Sequence, residues 1–160
     1  MLLPIYNKEL TKISNTKPIY IINDEPSTLV KVSNNSQLFQ EKCLQEKAYN
    51  IVPCPKIISY FEHNTISYLL MEKIEGKSIY ELYGDNPKKI PEEIWKQITT
   101  IISKLYYNDI HYVDISPYNF LVNKGKKVYI IDFGDAYECK VNWFLKDFLD
   151  GEKSWNPDFK

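Results

Sequence analysis

Arginine is absent: all 20 basic residues of this 160-residue chain are lysine. No side chain therefore offers the planar fork that grips a phosphate through two parallel bonds, and every basic group is a flexible point charge. Activation by docking a phosphorylated loop onto an arginine cluster is excluded on the same ground. Alanine is also rare, while lysine, asparagine, isoleucine and tyrosine abound, the bias of an AT-rich coding sequence. Glycine numbers only 5, and none falls in the first thirty-odd residues. A turn there lacks the residue that lets backbone approach a ligand closely. The 3 cysteines, Cys43, Cys54 and Cys139, are too few and too odd for a disulfide framework. They show no zinc spacing and read as small core hydrophobes. The start, Met1-Leu2-Leu3-Pro4, holds no extended apolar segment, which excludes a signal peptide or membrane span and points to the cytoplasm. Excess charge of either sign is missing too, since 20 bases face 21 acids. No overall field favours nucleic acid or an anionic membrane.

What remains is a globular composition, 44% hydrophobic and 26% charged, long enough for one domain with a real core. It contains no internal repeat or low-complexity tract. Its chemistry is concentrated between His111 and Ala136, HYVDISPYNFLVNKGKKVYIIDFGDA. Asp114 and Asn119 flank a short Ser-Pro turn. The apolar runs Phe120 to Val122 and Val128 to Ile131 enclose Asn123-Lys124-Gly125, a hairpin pattern. That hairpin brings Asn119 at its start beside Asp132 at its end. Two converging oxygens suit a hard divalent cation, and Mg²⁺ takes few protein oxygens together with phosphate and water. Asp114 lies just upstream, free to take a proton.

Asp114-Ile115-Ser116-Pro117-Tyr118-Asn119, followed by a strand pair and Asp132-Phe133-Gly134, resembles the catalytic core of the protein-kinase-like superfamily. The wording is most similar to the atypical RIO and Bud32 branches, which carry Ser or Thr in place of the catalytic-loop lysine. The resemblance implies an α+β, bilobal protein-kinase-like fold spanning 1–160 as a single domain. It would have a small antiparallel-sheet N-lobe (1–72), a hinge (73–76) and a strongly truncated helical C-lobe (77–160). It implies ATP and Mg²⁺ as cofactors, with Asp114 acting on the acceptor hydroxyl and Asn119 and Asp132 holding the metal. Lys31, in Leu29-Val30-Lys31-Val32, resembles the family lysine that contacts the α- and β-phosphates and pairs with a helix glutamate. Glu41 and Glu46 compete for that pairing, and the family pattern favours Glu41. Tyr68 to Gly76 resembles the inter-lobe hinge, with backbone near Glu72 and Ile74 meeting the adenine edge and Met71 at the back of the pocket.

The remaining elements follow from pattern. Glu9 to Ser14, Pro18 to Ile22 and Thr28 to Ser33 read as strands, with Asn15-Thr16 and Asp24-Glu25-Pro26 as turns. Ser36 to Asn50 reads as a helix with Phe39, Cys43 and Tyr49 on one face. Lys56 to Phe61 and Ile66 to Glu72 form a strand pair, with His63 in the turn between them. Ser78 to Tyr83 makes a short helix. Pro91 opens the longest helix, which runs to about Asn108 with Ile94, Ile98, Ile101, Ile102 and Leu105 as a core stripe. Tyr112 takes the place of the family histidine as packing support, and His111 is structural. Lys140 to Leu149 reads as a last helix burying Trp143, Phe144 and Phe148; the family resemblance makes Asp147 a brace for the catalytic loop, and the alternative is an ordinary surface residue. Asp150 to Lys160 reads as loop.

The function implied is an ATP-dependent phosphotransferase, most like an atypical Ser/Thr protein kinase acting on a protein substrate, on itself, or on water. A pseudokinase working through a protein partner, one that completes the short C-lobe, is the alternative. A small-molecule kinase of the aminoglycoside phosphotransferase type is the second.

Overall fold

The computed structural model describes residues 1–34, 36–139, 148 and 153–156. The helix expected over Lys140 to Leu149 lies outside these residues except at Phe148, and so does Asp147.

Six strands form one curled antiparallel sheet, in the order β1-β2-β3-β4-β6-β5. They are β1 (Leu2–Leu3), β2 (Lys8–Lys12), β3 (Ile19–Ile22), β4 (Glu25–Ser33), β5 (Ile57–His63) and β6 (Ile66–Glu72). Alternation sets which face is buried: in β4, Val30 is fully buried while Lys31 turns to the other side. Glu25 and Pro26, expected as turn, belong to β4 instead. Register slips where Ile22 pairs Glu25 but Ile21 pairs Leu29, and proline is tolerated at such a bulge because no ladder bond is asked of it. The turn itself is Asn23-Asp24. His63 ends β5 as an exposed residue rather than standing in the turn.

Helix α1 (Gln37–Tyr49) packs on this sheet with a face other than the one the apolar residues predict. Leu38, Glu41, Leu44, Gln45 and Ala48 are buried, whereas Phe39, Cys43 and Tyr49 are exposed. The buried set follows i, i+3, i+7 spacing, which Phe39, Cys43 and Tyr49 do not. Two polar residues face inward because each finds a partner: Glu41 meets Lys31 and Gln45 donates to the Pro55 carbonyl at 2.8 Å. Of the other cysteines, Cys54 is buried as expected and Cys139 is half-buried.

Beyond β6 the chain forms β7 (Lys77–Ser78), α2 (Ile79–Tyr83), a 3-10 turn (Pro87–Lys89) and α3 (Glu92–Tyr107). Then follow β8 (Ile110–His111), β9 (Phe120–Val122), β10 (Val128–Ile130) and β11 (Tyr137–Glu138). Pro91 caps α3 and Glu92 and Glu93 sit in its first turn, where the helix dipole favours negative charge. Its stripe Ile94, Ile98, Ile101, Ile102 and Leu105 is buried in one core with Phe120, Val122, Val128 and Ile130 of the hairpin. Burying each such aliphatic side chain stabilises by roughly 1.5–3 kcal/mol. The β9–β10 hairpin thus shares one apolar core with α3. The architecture is α+β, with a small kinase-like sheet lobe and a reduced helical part. Among the described residues no helix is long and apolar enough to cross a membrane.

Candidate active site

The β9–β10 hairpin sets the geometry. Ile130 pairs Phe120, and the Ile131 amide donates to the Asn119 carbonyl at 2.9 Å. Asn119 and Asp132 therefore leave the hairpin side by side. Asp132 takes a left-handed backbone (φ 64°), which aspartate tolerates better than most residues. Two groups hold it there. The Tyr112 hydroxyl donates to the Ile131 carbonyl at 2.5 Å, and the fully buried Phe133 ring stands edge-on to Tyr112 at 5.4 Å. Tyr112 is thus both packing support and a polar anchor for the residue before Asp132.

Three segments distant in sequence converge on Asp132. Lys31 Nζ lies 2.8 Å from its Oδ1 and 2.5 Å from Glu41 Oε1. Lys17 Nζ, from the turn between β2 and β3, lies 2.6 Å from its Oδ2. Glu46 points elsewhere and pairs Lys42 one helical turn away at 2.9 Å. Burial alone would raise the Asp132 carboxyl, but Lys31 and Lys17 outweigh it and hold the group well below the usual carboxylate range. Burial would likewise lower Lys31, and the charges of Glu41 and Asp132 reverse that, leaving it raised. Asp132 is thereby kept as a carboxylate and Lys31 as an ammonium through the neutral range.

Asp114 sits across the hairpin start. Asn119, buried, donates from Nδ2 to Asp114 Oδ2 at 2.5 Å and to the Asp114 carbonyl at 3.0 Å. That donation fixes the amide's orientation and leaves its oxygen as the end suited to a cation. Ser116 is buried beneath the loop. At the expected hinge, Met71 is buried with Leu38 and Leu69, and the Glu72 amide donates to the Lys56 carbonyl at 2.9 Å. The Ile74 backbone has no hydrogen-bond partner among the described residues.

Among those residues no three His, Cys, Asp or Glu side chains gather around one point. Magnesium shared with phosphate and water does not need three, and one carboxylate plus one amide oxygen is the donor set it accepts in phosphoryl-transfer sites. Asn119 and Asp132 supply that donor set.

Comparison with known sequences decides the ancestry. Residues 21–149 match the RIO domain. The chain belongs to the RIO family. The serine/threonine-protein kinase PrkC of Bacillus subtilis is 27% identical over 110 residues, covering 65% of this chain and 17% of that protein. Sperm motility kinase 2B of Mus musculus is 36% identical over 101 residues, covering 59% of this chain and 21% of its own length. A probable serine/threonine-protein kinase of Streptomyces coelicolor is 30% identical over 80 residues, covering 48% and 12%. The RIO chain thus spans about a fifth or less of these relatives.

Lys17 was not foreseen. Its only signal was being a cation in a glycine-free turn of a sheet that otherwise resembled a kinase lobe. Asn156, which reaches the backbone on both sides of Asp114, left no signal at all.

Proposed function

We propose that this RIO-family chain is a magnesium- and ATP-dependent phosphotransferase that moves the γ-phosphate to a Ser or Thr hydroxyl of a protein. One observation carries the reading. Lys31 joins Glu41 of α1 to Asp132 of the hairpin end, through contacts of 2.5 and 2.8 Å. A buried cation shared by two carboxylates is costly to assemble, and a scaffold needs none of it.

In this reading Asn119 and Asp132 hold the metal, and Lys31 holds the α- and β-phosphates with Glu41 fixing its direction. Magnesium held by Asn119 and Asp132 would supply neutralisation of phosphate charge. Lys17, already at the cleft, adds a cation where a glycine-rich loop would offer backbone amides. Asp114 orients the acceptor hydroxyl and takes its proton as the bond to phosphorus forms. Transfer of this kind rests on positioning and charge neutralisation, so these few groups suffice. Ser116 provides no transition-state cation, which favours slow turnover.

Incubation with γ-labelled ATP and Mg²⁺ tests the reading. Label should pass to protein in the wild type and vanish in both Asp114→Asn and Asp132→Ala. The competing reading is a nucleotide-sensing pseudokinase. It draws on the Lys17 contact, which covers Asp132 Oδ2 with a side chain where a metal would bind. ATP-dependent thermal stabilisation with no label transferred from any preparation would favour it.

A further inference from the structure

We infer that the acceptor of this site is a basic peptide segment, a serine or threonine flanked by lysine or arginine. The inference rests on the phosphotransferase reading and names the substrate class of that same cleft. A cavity of about 770 Å³ opens beside Asp114, and its walls include Lys17, Asp85, Tyr118 and Trp155. Its wall carries charges of both signs. Lys17 is tied to Asp132. Apart from it, among the described residues, the only charged side chains on the wall are the carboxylates Asp85 and Asp114. Asp85 is exposed and has no ion-pair partner among the described residues.

Beside Asp85 stand two aromatic rings that the fold leaves uncovered. Tyr118 is 54% exposed and Tyr80 44%, and they stack with centroids 4.6 Å apart. Asp85 and Tyr118 line the same cavity. The backbone that carries the two rings is tied down. The Tyr80 amide donates to the Pro117 carbonyl at 3.0 Å, which ties α2 to the catalytic loop. The Ser78–Glu81 capping box fixes the start of α2. The Trp155 indole donates to the Asp85 carbonyl at 2.8 Å and pins the turn that carries the carboxylate. A carboxylate next to a stacked, exposed pair of aromatic faces is a receptor for an ammonium or guanidinium group. Tyr118 immediately precedes Asn119 and lies four residues from Asp114. A cation seated here therefore belongs to a residue near the accepting hydroxyl, and an open cavity of this size admits several peptide residues.

Fluorescence anisotropy on the full chain, without nucleotide, provides the test. The probes are a labelled peptide with one Ser flanked on both sides by Lys and its counterpart with Glu for Lys. The Lys peptide is expected to bind about tenfold tighter. Asp85→Asn and Tyr118→Ala are each expected to shrink that ratio to about threefold or less, and melting curves show whether the variants are folded. Equal binding of both peptides, or a preference untouched in folded variants, overturns the inference. Labelled ATP separates the two levels. Transfer to Lys and Glu peptides alike keeps the phosphotransferase and removes the acceptor class. Asp85-dependent binding of the Lys peptide with no transfer keeps the recognition and removes the catalyst.

Discussion

Lys31 serves two carboxylates at once, and that sharing makes its removal asymmetric. Replacing it by methionine leaves Glu41 and Asp132 facing each other in a largely buried space, with only the more exposed Lys17 nearby. Stripping the partner from a buried charge typically costs more than the pair contributed. Lys31→Met is expected to lower stability by about 3 kcal/mol in urea unfolding. Adding Glu41→Gln should recover about 1 kcal/mol by removing one of the stranded charges. A double variant that is additive would show that Glu41 and Lys31 do not act as a unit. His111 gives a pH signature of opposite origin. Burial holds its imidazole below the ordinary 6.5, and one ring nitrogen is buried with no hydrogen-bond partner among the described residues. Above pH 6.5 the ring is neutral in folded and unfolded chains alike, so its stabilising share is complete. As pH falls through 6.5 toward the depressed folded value, the unfolded chain binds the proton first and stability is lost. Wild type is therefore expected to lose melting temperature between pH 7 and 5 more steeply than His111→Gln. Parallel curves would mean that the ring does not titrate with unfolding.

At the level of elements, the close approach of β7 to β9 depends on one missing side chain. A Cβ placed on Gly76 would stand 2.7 Å from the Val122 carbonyl oxygen, which is backbone and cannot swing aside. Gly76→Ala is expected to cost about 1–3 kcal/mol and to speed amide exchange in β7 and β9. A loss below about 0.5 kcal/mol would mean the strands shift freely. The elements also differ in how plainly their residues announce them. Helix α3 is legible in the sequence because Ile94, Ile98, Ile101, Ile102 and Leu105 keep one period and bury in one direction. The hairpin is legible because two apolar runs bracket a polar turn. Its sharp point is not: Lys126, rather than Gly125, takes the left-handed backbone (φ 60°), supported by Asn123 Oδ1 accepting from the Lys127 amide at 2.9 Å. The inward face of α1 is illegible because Glu41 and Gln45 are buried by partners on β4 and at Pro55 that no local pattern announces. Long-range pairing, more than local propensity, decides where sequence reasoning stops.

The whole molecule closes through its last described residues. Positions 153–156 carry no regular structure, as expected of a loop, yet Asn156 is buried and Trp155 packs against the core, while Ser154 is exposed. The Asn156 amide nitrogen of the side chain donates to the Val113 carbonyl at 2.5 Å, and its backbone donates to the Ile115 carbonyl at 3.0 Å. Both acceptors flank Asp114. Trp155 stands edge-on to Trp95 at 5.3 Å, while Lys153 reaches the Ile90 carbonyl at 3.0 Å and Glu92 at 2.6 Å. The segment thus clamps the loop carrying Asp114 to α3, a task for which the family resemblance offers Asp147 as the candidate. Asn156→Ala leaves the half-buried Val113 carbonyl without this donor, at an expected cost of about 1 kcal/mol. In the proposed phosphotransferase this bond steadies the loop that carries Asp114, so turnover should fall about tenfold while ATP affinity stays near that of wild type. Asn156→Asp is the sharper variant, since it keeps the volume and replaces a donor with an acceptor facing a carbonyl. It should be at least as slow as alanine. A folded Asn156→Asp protein with wild-type turnover would show that the clamp holds the chain together without positioning Asp114.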